Sequence, residues 1–416
     1  MTAEQIHTIP SVAPPEAVNN YGRKAVLASA IGYGLDGFDL LILSFAISGI
    51  ITSFHISESK AGWLSTLTLL GAVTGGFVFG ILSDKFGRVR MLTWTVVIFA
   101  VFTGLSAVAQ GYTDLAVYRF VAGIGIGGEF GIGMTLAAEA VPATMRARAT
   151  SWVGVGFQIG VLAAAFISAP VLAAFGWRGL FVIGIFPAFV AVIIRKRLHE
   201  SPKFLEKQEE SGPSRSALSS LKMLVENKAI IKITIAMVIL TSVQNFGYYG
   251  IISWLPRYLS DKQHLGVTKG SLWTAVTVLG MLLGILVFGQ LADRIGRRPS
   301  FWIFLAGASV SVLGYSQLSS PTALLIGGFV MGIFANGMLG GYGALMAELY
   351  PTEARATAQN VLFNIGRGIG GFAPVVMAVI ASTHGFSFAL SLLPIIYIVA
   401  FFTMFLIPER RGKELV

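Results

Sequence analysis

The sequence contains no cysteine, which excludes disulfides and thiolate metal sites. Charge is scarce at 12 % of 416 residues, against about a quarter in an ordinary soluble domain. The histidines His7, His55, His199, His264 and His384 are scattered without metal-ligand spacing, so no metal is expected. No glycine-rich loop ends in Gly-Lys-Ser/Thr, which disfavours ATP-driven work. No nucleophile–base pair stands out, so enzyme chemistry is not expected. There is no Asn-x-Ser/Thr acceptor, and the short polar N-terminus lacks a cleavable signal pattern.

Apolar residues and glycine fill the space these absences leave. The chain is 55 % hydrophobic, holds 49 glycines and has a mean hydropathy of +0.75. Apolar runs of about 20 residues recur from Ala25 to Ile407, each long enough for a hydrocarbon core of about 30 Å. Twelve membrane-crossing helices are expected, at 25–50, 61–83, 91–110, 114–141, 147–174 and 178–195, then 229–259, 271–292, 300–318, 321–348, 356–382 and 386–407. The fold class is therefore an all-α membrane protein of six plus six helices. The expected division is a tail 1–22, a bundle 23–195, a linker 196–228, a bundle 229–407 and a tail 408–416.

The halves repeat each other. Gly80-Ile-Leu-Ser-Asp84-Lys85-Phe-Gly87-Arg88 returns 209 residues later as Gly289-Gln-Leu-Ala-Asp293-Arg294-Ile-Gly296-Arg297. Glu139-Ala-Val-Pro142 with Arg146 returns at the same offset as Glu348-Leu-Tyr-Pro351 with Arg355. Two unrelated motifs at one offset indicate duplication. Repeated halves of apolar helices mark secondary transporters, in which one half rocks against the other.

The net charge of +10 is an orientation signal rather than a nucleic-acid site. Basic residues crowd alternate inter-helix segments: Arg23/Lys24, Lys85–Arg90, Arg146/Arg148, Arg195–Lys232, Arg294–Arg298, Arg355 and Arg410–Lys413. The other segments hold Lys60, Arg178, Arg257, Lys262 and Lys269. This bias places both termini in the cytoplasm, with a bacterial inner membrane as the expected home. A monomer is expected, its partners being lipid, a small substrate and protons.

Polar residues inside the spans are unevenly spread. Span 1 carries Asp36 and Asp39, span 4 Arg119 and Glu129, and span 5 Gln158. Span 7 has Gln244, Asn245, Tyr248 and Tyr249; span 10 has Asn336 and Tyr342; span 11 has Gln359, Asn360, Asn364 and Arg367. A charge at mid-bilayer costs roughly 2.5–3.5 kcal/mol on the lenient scale, so these residues face a cavity or a partner. Spans 1, 4, 5, 7, 10 and 11 should line a path, with 3, 6, 9 and 12 facing lipid.

Asp36 and Asp39 are three apart and share a helical face. Two such carboxylates cannot both ionise cheaply, which makes one a proton carrier; the alternative is a structural hydrogen bond. Glu129 is the third acid. Arg119 lies ten residues before it, about 15 Å of rise, so Asp39 is the expected partner of Arg119. That pair could equally be a permanent structural bridge. Arg367 stays charged at any working pH and can grip a carboxylate through two parallel bonds. Its repeat mate is Gln158, so the halves differ where a substrate would orient. Asn364, Asn245, Tyr248, Tyr249, Gln158 and Asn336 complete the expected substrate site, with Phe38 and Trp254 as apolar walls. Asp84 can cap the positive end of an adjacent helix and Arg88 can pair with an acid. Glu139 with Arg146 and Glu348 with Arg355 are expected to extend that charge network.

These motifs carry a resemblance that spans nearly the whole chain. Asp84-Lys85-x-Gly87-Arg88-x-Arg90 and its copy Asp293–Arg298, Arg119-x-x-x-Gly123-x-x-x-Gly127-Gly128, and Glu200-Ser201-Pro202-Lys203 resemble signatures of the major facilitator superfamily. Asp36-Gly37-Phe38-Asp39, with Gly127-Gly128-Glu129 and Tyr248-Tyr249-Gly250, resembles its aromatic-acid and nicotinate-type organic-acid branches. The resemblance implies alternating access, with proton-coupled uptake of a small organic anion and a cytoplasmic latch at Asp84. A proton-coupled sugar or drug transporter is the alternative. No cofactor is implied beyond protons as the coupling ion.

Overall fold

Apolar runs punctuated by glycine, serine and proline dictate helices, and helices are what the chain forms. The structure, a computed structural model, describes residues 15–195, 198–201, 204–206, 219–255, 258–259, 266–413 and 415. Arg257, Lys262, Pro202, Lys203 and about half of the expected linker lie outside the described residues. The first half comprises α1 (Pro15–Phe54), α2 (Glu58–Phe86), α3 (Arg88–Ala107), α4 (Tyr112–Glu139) and α5 (Arg146–Arg195). After the short α6 (Ser219–Met223) come α7 (Lys228–Ile252), α8 (Gly266–Ile295), α9 (Arg297–Ser316), α10 (Pro321–Gly337), α11 (Leu339–Leu349), α12 (Arg355–Gly370), α13 (Ala373–His384) and α14 (Phe386–Thr403).

Among the described residues, eleven helical spans are long and apolar enough to cross a membrane, and Pro170–Ile185 is a shorter apolar stretch. The helix starts follow local chemistry. Ser57 caps α2 by accepting from the Lys60 amide, and Asn227 caps α7 by accepting from the Ala229 and Ile230 amides. Ser320 caps α10, whose first residue is proline. α5 holds two crossings run together across Gly176, whose φ of 64° breaks the helix.

Two expected single spans are each split. Span 10 breaks at Met338 into α10 and α11, and span 11 breaks at Gly371-Phe372 into α12 and α13. Pro374 explains the second break: its ring has no N–H to continue the ladder, and the preceding glycines lower the cost of leaving it. Arg367 thus sits in the last turn of α12, beside a discontinuity.

Close packing explains much of the glycine. A Cβ on Gly127 of α4 would collide with the Ala72 carbonyl of α2. Gly87 has a different task. It turns the chain between α2 and α3 at φ 106°, and its mate Gly296 does so between α8 and α9 at φ 107°. A Cβ at Gly87 would also meet the Glu200 carboxylate, which caps α3 by accepting from the Val89 and Arg90 amides at 3.1 and 2.9 Å.

The halves meet along two seams, α2 and α4 against α12, and α5 against α8 and α11. Phe130 stacks on Phe363 with ring centroids 3.4 Å apart, and the Gly131 amide donates to Asn360 Oδ1 at 2.9 Å. Thr150 Oγ1 donates to the Gly340 carbonyl at 2.8 Å.

Candidate functional site

Two separate polar assemblies join the halves. The first lies at the end of the bundle where the repeated motifs gather. Asp84 accepts from the Ala356 and Thr357 amides at 3.3 and 2.8 Å, so its carboxylate sits on the positive N-terminus of α12 in the opposite half. Its mate Asp293 does the same to Ala147 and Arg148 of α5, at 3.1 and 3.0 Å. Arg88 donates to the Thr352 carbonyl across the seam at 2.7 Å and lies 3.4 Å from Glu139. Arg297 grips Glu348 through two nitrogens at 3.0 and 2.6 Å.

The acids and arginines of the second repeated motif join this network across the seam. Glu139 pairs with Arg355 at 2.7 Å, and Glu348 faces Arg146 at 3.6 Å. The acid of each half thus takes the arginine of the other. Each acid also keeps an arginine of its own half, Arg88 for Glu139 and Arg297 for Glu348, so the closed end is held both within the bundles and across the interface.

The second assembly lies deeper. Arg367 Nη2 on α12 donates to Asp36 Oδ2 on α1 at 2.6 Å, an ion pair that crosses from one half to the other. Both side chains are almost fully buried. Asp39, one turn further along α1, is held inside the first half by both terminal nitrogens of Arg119, with Thr103 Oγ1 donating at 3.4 Å. The partner expected for Arg119 is the partner found.

A cavity of about 220 Å³ lies against both pairs, on the side away from the closed end. Asp36, Asp39, Arg119, Tyr249 and Arg367 line it, together with Ser65, Thr66 and Thr68. Those hydroxyls come from α2, which was not expected to line the path. Small residues there let α2 approach without walling off the space. Beyond Arg367 and Tyr249 lies a much smaller compartment of about 20 Å³, lined by Tyr33, Phe157, Gln244, Asn245, Tyr248, Asn336 and Phe363. Arg367 and Tyr249 border both spaces.

Of the expected substrate residues, Asn245, Tyr248, Tyr249, Asn336 and Arg367 are brought together. Asn364 is not. Its amide donates to the Gly127 carbonyl at 2.9 Å, and it lines neither space, because α12 presses its flank against α4 at that turn. Gln158 is also outside both linings, its Nε2 facing the Met281 sulfur at 3.9 Å. Glu129 points between α3 and α4, accepting from Thr95 Oγ1 at 2.7 Å, so α3 is not solely lipid-facing. Phe38 belongs to a core cluster of the first half, and the Trp254 indole donates to the Pro374 carbonyl; neither walls these spaces.

Sequence reasoning missed Tyr33, Phe157 and Phe363. Tyr33 had a usable signal, since it precedes Asp36 by three residues and shares its helical face. The other two gave none, because a phenylalanine in an apolar run reads as packing wherever it points.

A two-half helical bundle, closed at one end by ion pairs across the seam and hollow beside a buried inter-half pair, has the architecture of a multi-pass membrane transporter. The chain belongs to the Major Facilitator Superfamily, which it matches over residues 29–282 and again over 262–415. It is a transporter, not an enzyme. It is similar to a putative metabolite transport protein of Haemophilus influenzae, 58 % identical over 96 % of this chain and 99 % of that one. It is also similar to a probable 4-methylmuconolactone transporter of Cupriavidus pinatubonensis, at 32 % identity over 94 % of this chain and 91 % of the relative. A putative niacin/nicotinamide transporter of Bacillus subtilis matches at 30 % identity over 87 % and 89 %. Among solved structures, the proton:xylose symporter XylE bound to 6-bromo-6-deoxy-D-glucose superposes with a TM-score of 0.80. At 20 % identity over 95 % of this chain and 98 % of that one, this likeness concerns the fold alone.

Proposed function

We propose that this chain takes up a small organic anion together with protons across a bacterial inner membrane, by alternating access, as a monomer with both termini in the cytoplasm. The observation that carries the proposal is the buried Asp36–Arg367 pair, which joins the halves at the floor of the cavity. With Asp36 ionised, the guanidinium is occupied. Protonating Asp36 removes the competing carboxylate and frees Arg367 for the carboxylate of a substrate, so proton and anion bind together. Once Arg367 has exchanged partners, the ion pair no longer tethers α1 to α12, and the halves can rock. The names of the muconolactone and niacin relatives support a small organic acid rather than a sugar.

Asp39 is the second group in this reading. Its partner Arg119 lies in the same half, so rocking does not require that pair to break. Glu129, one helix further in, is third. Positive-inside bias assigns the crossed ion pairs to the cytoplasm, which makes this conformation outward-facing. A reporter fused after Lys228 should then be cytoplasmic, and an external signal there would reverse the assignment.

Counterflow and pH-gradient uptake in proteoliposomes test the coupling. A proton crossing the membrane potential supplies roughly 2.3 kcal/mol per 100 mV for accumulation. Asp36→Asn should keep anion exchange yet lose accumulation, and Arg367→Ala should lose anion binding by about ten- to a hundredfold or more. Normal accumulation by Asp36→Asn, or wild-type anion affinity in Arg367→Ala, would sink the proposal.

A further inference from the structure

The repeat makes the centre of the site asymmetric in a defined way. Asp36 corresponds to Asn245 at the 209-residue offset, and Arg367 corresponds to Gln158. An acid and a base on one side of the pseudo-axis are thus matched by two neutral amides on the other. Asn245, one of those amides, lines the small compartment beyond Arg367. Gln244 and Asn336, 2 % and 1 % exposed, share one hydrogen bond there: Gln244 Nε2 donates to Asn336 Oδ1 at 2.6 Å. Gln244 Oε1 and Asn336 Nδ2 are left buried without a partner. A buried amide atom without a partner is costly, so this pair holds one free acceptor and one free donor ready for a third group. At about 20 Å³ the compartment takes a single small group, about the size of one water.

We infer that Gln244 and Asn336 read a neutral hydrogen-bonding group of the substrate, and that the site selects monocarboxylates bearing such a group while excluding dicarboxylates. This rests on the organic-anion reading above and narrows it. The free donor serves a ring nitrogen or carbonyl, and the free acceptor serves a hydroxyl. A second carboxylate could accept from the free donor as a ring nitrogen does, but it brings a second charge to a place with no free base. The basic side chains lining the two spaces are Arg119 and Arg367; Asp39 already holds the first, and the substrate's first carboxylate takes the second. A second anion would therefore be desolvated against neutral amides and phenyl rings, beside the acids of α1. The selectivity is of chain-specific interest, because a relative 29 % identical is named a cis,cis-muconate transport protein, and muconate has two carboxylates.

Calorimetry on the full-length protein in lipid nanodiscs tests this with three matched probes: nicotinate, benzoate and isophthalate. They place a ring nitrogen, a C–H or a second carboxylate at the same ring position. Nicotinate should bind about tenfold more tightly than benzoate, and isophthalate should not bind measurably. In Gln244→Leu/Asn336→Leu, benzoate affinity should stay within about threefold while the advantage of nicotinate disappears. Isophthalate binding as tightly as nicotinate overturns the inference, as does an unchanged nicotinate-to-benzoate ratio in the double variant. Loss of benzoate binding in that variant overturns it too, since the amides would then be structural. So does failure of wild type to bind any of the three probes. Arg367→Ala separates the two levels of the argument. If it loses all the probes that wild type binds without discrimination, only the amide reading fails; if it binds them like wild type, the anion reading fails.

Discussion

The closed end and the central site obey opposite rules. At the closed end the principal contacts between the halves occur twice. Asp84 on α12 has its copy in Asp293 on α5, Glu139–Arg355 has Glu348–Arg146, and Arg88 on Thr352 has Arg297 on Ala143. In the centre the copies diverge, Asp36 against Asn245 and Arg367 against Gln158. The duplicated contacts hold the halves together without reference to any ligand, so symmetry is retained where the task is mechanical. A ligand with one charged end has no twofold symmetry, so the groups that bind it have to differ between the halves.

The sharpest way to break this comparison is to unbalance the closed end. Glu139→Gln leaves Arg88 and Arg355 buried with their shared acid gone, and should destabilise the protein by about 3 kcal/mol. Glu348→Gln should do the same to Arg297 and Arg146. Thermal unfolding in detergent would show it, and a large effect from one with none from the other would refute the equivalence of the two seams.

A milder effect is expected from the helix caps. Asp84→Asn and Asp293→Asn each remove a charge from a helix N-terminus in the opposite half, worth about 1 kcal/mol, or roughly fivefold in the balance between conformations. Both should slow transport far more than they weaken substrate binding. A variant whose sole defect is a raised substrate dissociation constant would place that aspartate in the binding site instead.

The smallest effect sharpens the contrast at the centre. Gln158→Ala should alter substrate affinity by no more than about threefold, since its side chain reaches Met281 rather than either cavity. Set beside the loss expected for Arg367→Ala, this measures how far repeat-related positions have separated. Equal losses at the two positions would show that the site is still functionally symmetric.

Several of these features were legible in the sequence for identifiable reasons. The duplicated motifs, the twelve spans and the Arg119–Asp39 partnership rest on spacing along helices, and a helix converts residue number directly into depth and face. That Arg367 would face a cavity or a partner was legible, because a charge inside an apolar span is otherwise costly. That its partner is Asp36 rather than Asp39 or Glu129 was not readable, since all three stand on helices of the first half. Asn364 was misread for a related reason: one turn from Arg367 seemed near enough, but α12 turns that position against α4.

By itself, the sequence determined what is local or periodic: the helices, the separation of two crossings near Gly176, the turns at Gly87 and Gly296, and a buried charge count that demands partners. Only the tertiary structure decided which partners those are. Crossing of Glu139 to Arg355 and Glu348 to Arg146, the split of the interior into two spaces at Arg367 and Tyr249, and the unspent amides of Gln244 and Asn336 all depend on how separate helices are rotated about their axes. In an apolar surround the rotation of each helix is set by the packing of side chains hundreds of residues apart, and no periodicity within one helix encodes that choice.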